Sequence, residues 1–282
     1  MSGAAQAGPL LPPGRSGRPR VVRSILRRDG VPVDLAVVEI GEPHAPAVVL
    51  AHGVGSSARF VAAACAEPLA RAGRRLVTYD ARGHGGSTVC PDPDDHHLDA
   101  YATDLAAVVA STSGVEAVGG ISLGGHAALR WPGRVPRVVC LPAWEGTAVA
   151  GEGPHAVVAE EVRRVGVDGI VDRLRRDTQM PTWLRDTLVT DYARHDPASL
   201  AAALVALDGG EAPTLEEVAA LPDPVAVVAW RDDPGHPFAV AERFVAAAAV
   251  GTLTELALSD LDRSLTRFGD AVVTALTSVG GR

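Results

Sequence analysis

A serine set among glycines gives this chain its clearest chemical signal. Gly119-Gly120-Ile121-Ser122-Leu123-Gly124-Gly125 places Gly120-x-Ser122-x-Gly124 between an apolar run and a helical pattern. In that setting a serine occupies a sharp turn, with its hydroxyl standing clear of the sheet. Small neighbours let strand and helix close around the turn. The Leu123 N–H then lies at a helix N-terminus, where it can stabilise a developing oxyanion. Upstream, His52-Gly53-Val54-Gly55-Ser56 directly follows a second apolar run. A loop so placed supplies a second oxyanion donor, here the Val54 N–H. A third turn, Tyr79-Asp80-Ala81-Arg82-Gly83-His84-Gly85-Gly86-Ser87, closes another strand-like segment.

Other groups with chemical potential read as structural. Asp92, Asp94, Asp95, His96 and His97 are metal-compatible in type, but they read as a solvated loop capping the next helix. His126, one helical turn past Ser122, reads as a satisfied core histidine. Cys65, Cys90 and Cys140 are odd in number and far apart. They predict neither a disulfide scaffold nor a metal site, and fit a reducing cytoplasm. No nucleotide, flavin or metal motif rises above chance, so no cofactor is expected.

The composition bounds the rest. The chain has 282 residues, 47% of them hydrophobic, enough for a sizeable core. Its 34 acidic against 26 basic residues give a net charge of −8, which argues against a nucleic-acid partner. Lys and Asn are absent, and Ala, Val, Gly, Pro and Arg abound, which points to a high-GC genome. The basic run Arg15, Arg18, Arg20, Arg23, Arg27, Arg28 reads as a solvated tail. No apolar run reaches the roughly 18–20 residues of a membrane span, and residues 1–20 carry no secretory pattern.

The elements that must position these groups alternate. Residues 1–20 read as a flexible leader. Strands are predicted at Val21–Leu26 and 33–39, joined by the turn Arg28-Asp29-Gly30. There follow strand Ala47–Ala51, helix 61–72, strand Arg75–Tyr79, helix Leu98–Ser111, strand 117–121, helix 123–131 and strand 135–141. Strand Val225–Trp230, helix 239–249, strand 253–258 and helix 261–276 close the chain. This order predicts a mostly parallel sheet with helices on both faces. Residues 142–221 break it, with candidate helices at 155–165, 169–177, 182–194 and 199–206 and no convincing strand. They read as a helical insertion over the sheet. The core is thereby expected at 21–141 and 222–282.

The HG-x-G loop, the D-x-RGHG-x-S turn and the G-x-S-x-G elbow, in this order and spacing, make the chain resemble α/β-hydrolase-fold proteins over residues 21–280. Asp104 and the strand led by Pro224 also fit. The resemblance implies an α/β fold with a helical cap over the sheet's C-terminal edge. It implies loop-shaping roles for His52 and His84. It also places the catalytic acid after strand Val225–Trp230, where Arg231-Asp232-Asp233-Pro234-Gly235-His236-Pro237 puts Asp233 on the acid position and Asp232 in reserve.

The chain departs from the family at the histidine. That residue is expected after the last strand, but Leu258-Ser259-Asp260-Leu261-Asp262-Arg263-Ser264 contains none, and no histidine follows His236. Without a base a serine hydroxyl attacks poorly. Three explanations compete. His236 substitutes from the acid loop. Alternatively a histidine reaches down from the insertion, either His155, aimed by the turn Gly151-Glu152-Gly153-Pro154, or His195. In the third, no serine–base couple exists, and the fold binds a ligand or orients an intramolecular reaction.

The expectation is a serine-dependent acyl-group enzyme: an esterase, thioesterase, lactonase or acyl-transfer cyclase. Ser122 is its nucleophile, Val54 and Leu123 its oxyanion hole, Asp233 its acid and His236 its base. Its substrate is expected to be a hydrophobic small molecule, with Trp144, Trp183, Tyr192 and Trp230 grouped around an apolar pocket. A serine elbow weighs against chemistry that uses an aspartate nucleophile. The alternative is a non-hydrolytic cyclase, lyase or ligand-binding protein of secondary metabolism.

Overall fold

The computed structural model describes residues 21–27, 33–147 and 155–280. The expected leader 1–20, the turn Arg28-Asp29-Gly30 and the turn Gly151-Glu152-Gly153-Pro154 lie outside the described residues. Among the described residues eight strands form one sheet: β1 (Val21–Leu26), β2 (Leu35–Ile40), β3 (Ala47–Ala51), β4 (Arg75–Tyr79), β5 (Val115–Ile121), β6 (Arg137–Cys140), β7 (Val225–Trp230) and β8 (Gly251–Leu256). Their order is β1-β2-β4-β3-β5-β6-β7-β8. β2 runs antiparallel to β1 and β4, and every other pair is parallel.

β3, β4, β6 and β7 are buried along their whole length, as strands covered on both faces must be. Helices α1 (Ala58–Arg71) and α9 (Thr266–Gly280) cover one face, packing Val61, Leu69, Phe268 and Val272 against Val48, Val138 and Val228. On the other, α2 (Leu98–Ser111) and α3 (Leu123–Arg130) bring Leu105, Val108, Leu123 and Ala127 against Val49 and Val77. There α8 (Phe238–Ala247) adds Val240 and Phe244 against Val139 and Val227.

Between β6 and β7 lie α4 (His155–Arg176), α5 (Thr182–Tyr192), α6 (Pro197–Leu207) and the short α7 (Leu215–Ala219). α4 and α6 share an apolar cluster of Ala159, Val162, Ile170, Leu200 and Leu204. The sequence predicts two helices where α4 runs. Its backbone does leave helical geometry at Gly166, at φ 68° and ψ 174°. The Thr147–Glu211 bridge pinches the neck of this excursion, and the Ala212 N–H donates to the Gly146 carbonyl at 2.6 Å. α7 lies past that neck and seats Val218 in the core beside α8.

Past β8 the fit is looser. The expected helix 261–276 divides into a 3₁₀ turn, Leu258–Asp262, and α9. Leu258, Leu261 and Leu265 keep an apolar spacing across the break, so periodicity alone does not reveal it.

Candidate active site

β5 delivers the chain to Ser122, whose φ of 51° and ψ of −116° lie outside the usual regions for an L-residue. Such a conformation costs on the order of 1–3 kcal/mol and persists only where surrounding contacts over-determine it. Those contacts are present. The Ser122 N–H donates to the Cys140 carbonyl at 2.8 Å, and its own carbonyl accepts the His126 N–H at 3.0 Å. The glycines permit the closeness. A Cβ on Gly120 would stand 2.5 Å from the Gly124 carbonyl carbon, and one on Gly124 2.6 Å from the carbonyl oxygens of Ala51 and His52. Leu141, ending the neighbouring β6, is the other described non-glycine residue with positive φ, at 54°. Ser122 is half-buried. Its hydroxyl makes no hydrogen bond among the described residues.

The loop after β3 closes on this turn. A Cβ at Gly53 would come within 3.4 Å of the Ser122 Cβ. The Val54 and Leu123 N–H groups take no partner among the described residues, so both remain available to an anion beside Ser122. Three neutral imidazoles brace the loop. His52 donates from Nδ1 to the Gly53 carbonyl at 2.7 Å and accepts the Ala81 N–H at 2.9 Å. His84 donates from Nδ1 to the Arg82 carbonyl at 2.8 Å and accepts the Gly55 N–H at 3.1 Å. His195 accepts the Gly85 N–H and donates to the Gly55 carbonyl, both at 3.1 Å. Burial lowers all three pKa values, which keeps their acceptor nitrogens free of protons.

His195 therefore cannot reach down as a base, because both its nitrogens are committed to loop backbone. Asp191, fully buried at the end of α5, ties the same excursion to α1. It accepts from the Ser57 hydroxyl at 2.8 Å and Arg59 Nε at 3.1 Å. These bonds join residues more than 100 positions apart in sequence, so no local pattern could announce them.

After β7 the acid loop folds on itself. His236 Nδ1 donates to Asp233 Oδ2 at 2.6 Å, and the Gly235 N–H reaches the other Asp233 oxygen at 2.8 Å. Burial by itself would raise the Asp233 carboxyl. The His236 hydrogen bond and charge, with the Gly235 N–H, outweigh it and hold the carboxyl below its ordinary range. His236 Nε2 has no partner among the described residues. Asp232 turns elsewhere and accepts the Leu258 N–H at 2.9 Å, tying this loop to the turn after β8.

His126 departs from expectation. It is fully buried, but neither ring nitrogen has a partner among the described residues. Burial, reinforced by nearby His236, pushes its pKa down to about 3. The ring stands edge-on to Trp144 at 5.1 Å, and Trp144 lies 6.1 Å from the ring of His155 at the head of α4. His155 is half-buried, and burial lowers its pKa as well.

The four aromatics do not share one pocket. Trp144 joins His126, while Tyr192 packs on Gly55 and His195. Trp183 and Trp230 meet edge-on at 5.8 Å. The Trp183 indole N–H donates to the Leu258 carbonyl at 3.1 Å, in the turn where the resemblance expects a histidine. The 92–97 cluster is structural, with one change: His97, not an aspartate, caps α2 by accepting the Ala100 N–H. His96 is buried between the Tyr101 hydroxyl and the Cys90 carbonyl. A concavity of about 310 Å³ lined by Glu39, Gly41, Arg75 and Ser113 lies at the far end of the sheet from Ser122.

Comparison with known proteins agrees with this architecture. The family model described as "Alpha/beta hydrolase family" matches residues 48–266. The chain belongs to the α/β-hydrolase family. Among solved structures it resembles the enol-lactonase of Burkholderia xenovorans LB400, with 23% identity, a TM-score of 0.69, and 87% of this chain and 97% of that one covered. It also resembles a carboxylesterase of Nitrososphaera gargenis, with 16% identity, a TM-score of 0.76 and coverage of 91% and 99%. An esterase of Thermogutta terrifontis matches at 20% identity and a TM-score of 0.71, covering 92% and 99%. No curated protein sequence gives a significant match. No described helix is long and apolar enough to cross a membrane.

Proposed function

We propose that the chain is a serine-dependent acyl-group enzyme acting on a small hydrophobic ester, thioester or lactone. The observation that carries this reading is the Ser122 turn: a strained serine at a helix N-terminus, faced by the unengaged N–H groups of Val54 and Leu123. Ser122 Oγ attacks the carbonyl carbon, and the two N–H groups receive the negative charge that forms on oxygen. His236 takes the serine proton at Nε2 and returns it to the leaving group. Asp233 holds its Nδ1–H and stabilises the imidazolium. Water then repeats the sequence on the acyl-enzyme. Segment 142–221 acts as a cap: His195 and Asp191 fasten it to the oxyanion loop and α1, so movement of the cap is felt where the oxyanion forms. The names of the similar structures, two esterases and a lactonase, support acyl-oxygen chemistry. The free cysteines Cys65, Cys90 and Cys140 fit a reducing cytoplasm.

One observation favours a second reading. No imidazole is hydrogen-bonded to the Ser122 hydroxyl among the described residues, which suits a non-hydrolytic member that orients a ligand. A fluorophosphonate probe separates the two. The acyl-group enzyme is labelled on Ser122, and Ser122→Ala abolishes the adduct. A folded wild type that stays unlabelled transfers the weight to the ligand-orienting reading.

A further inference from the structure

The proposed machinery leaves a touching pair of buried polar side chains unexplained. His126 is fully buried with both nitrogens unbonded, and the Nε1–H of Trp144, edge-on to it at 5.1 Å, is out of solvent and also without a partner among the described residues. A buried polar group left unmet is costly, so unmet groups gathered on two touching rings call for a polar occupant. Their chemistry defines the occupant. Burial keeps His126 neutral, giving one N–H donor and one bare nitrogen acceptor. Trp144 adds a second donor. A hydroxyl answers the indole and one imidazole nitrogen, because its oxygen accepts the Trp144 N–H while its hydrogen goes to the bare ring nitrogen. A carboxylate has no hydrogen for that nitrogen. A cation finds only one acceptor.

Position gives the site a use. His126 lies one turn beyond Ser122 on α3, and helical side chains lean back toward the N-terminus, here toward the elbow. His236 is close enough to act electrostatically on both His126 and His155. We propose that Trp144 and His126 form a hydroxyl-binding subsite beside Ser122 and His236, filled by an alcohol group of the substrate or by a water. Its part in substrate choice rests on Ser122 being the nucleophile; the binding itself does not. A subsite built to bond a hydroxyl discriminates against analogues lacking one, because its own polar groups are then left unpaired.

The test reads binding apart from turnover. In ¹⁵N-labelled wild type and Ser122→Ala, the Trp144 indole resonance is identified by its loss in Trp144→Phe, and then followed against 3-hydroxybutyramide and butyramide. If the substrate supplies the hydroxyl, only the hydroxy amide shifts the resonance, in both proteins, and His126→Phe abolishes the shift. The kcat/KM ratio of p-nitrophenyl 3-hydroxybutyrate to p-nitrophenyl butyrate then falls about tenfold or more in Trp144→Phe. If water is the occupant, the indole shows a water cross-relaxation peak, lost in His126→Phe, that neither amide displaces. An indole that meets neither ligand nor water, or one unchanged by His126→Phe in a folded protein, overturns the subsite. Absence of ester turnover and labelling in folded wild type, with the amide shift intact, removes the nucleophile role of Ser122 and leaves the subsite standing.

Discussion

At the scale of single residues the acid loop carries most of the argument. A short bond from His236 Nδ1 to Asp233 fixes the tautomer, so Nε2 is the nitrogen left to take a proton. The same geometry would be achieved by a histidine after β8. On the proposed reading the imidazole stands three residues from its carboxylate, while the Trp183 indole bonds the turn after β8. His236→Ala is therefore expected to lower kcat by about 10²–10⁴-fold on any ester that wild type turns over. Combined with Ser122→Ala it should add little further loss, because the two act as one unit. Asp233→Asn should fall in the same direction by releasing the ring. His155→Ala should leave kcat nearly unchanged. Steady-state kinetics on the four variants decide it, and a damaging His155→Ala with a silent His236→Ala would move the base to α4.

At the scale of elements, the elbow is a close crossing of β3, β5 and α3 that tolerates no side chain at its centre. Gly124→Ala would push a methyl against two backbone oxygens, which cannot rotate away as a side-chain tip can. We expect a loss of about 2 kcal/mol or more, hence a Tm lower by about 4 °C or more, together with loss of fluorophosphonate labelling. An unchanged Tm and full labelling would show that the crossing is looser than drawn. This rigidity is also why the elbow was legible in sequence: steric demand leaves few residue types around Ser122. Asp233 and His236 lie in one short loop to which the family resemblance pointed, though the sequence left the base open among His236, a histidine of the insertion and none. The bonds from His195 and Asp191 were not legible, since each depends on segments brought together by the whole fold. The empty hydrogen bonds of His126 were missed because Trp144 reaches it from an irregular stretch beyond β6. α7 escaped notice because five residues are too few to show a period.

At the scale of the whole molecule, the core holds its histidines neutral, and this sets how the protein meets acid. Burial lowers the pKa of His52, His84, His96, His126, His155 and His195. An unfolded chain protonates each near pH 6.5, whereas the folded chain does so only at lower pH. Below about pH 6.5 the unfolded state thus binds more protons, and stability must fall as pH falls. Asp233 acts later: its folded pKa is depressed, so its contribution is lost only as pH drops through the ordinary carboxylate range toward that lower value. The first acid-side loss therefore belongs to the histidines. His126 gives the sharpest test, because at pH 5 it is protonated when unfolded and neutral when folded, a difference of about one proton. Urea melts of wild type between pH 7 and pH 4.5 should show stability declining throughout. In His126→Phe the slope near pH 5 should be shallower by about 1.4 kcal/mol per pH unit. The variant need not be less stable at pH 7, since it also removes two unpaired nitrogens. Equal slopes in the two proteins would mean that the native state already protonates His126 at pH 5, and that its ring is less sealed from water than its burial indicates.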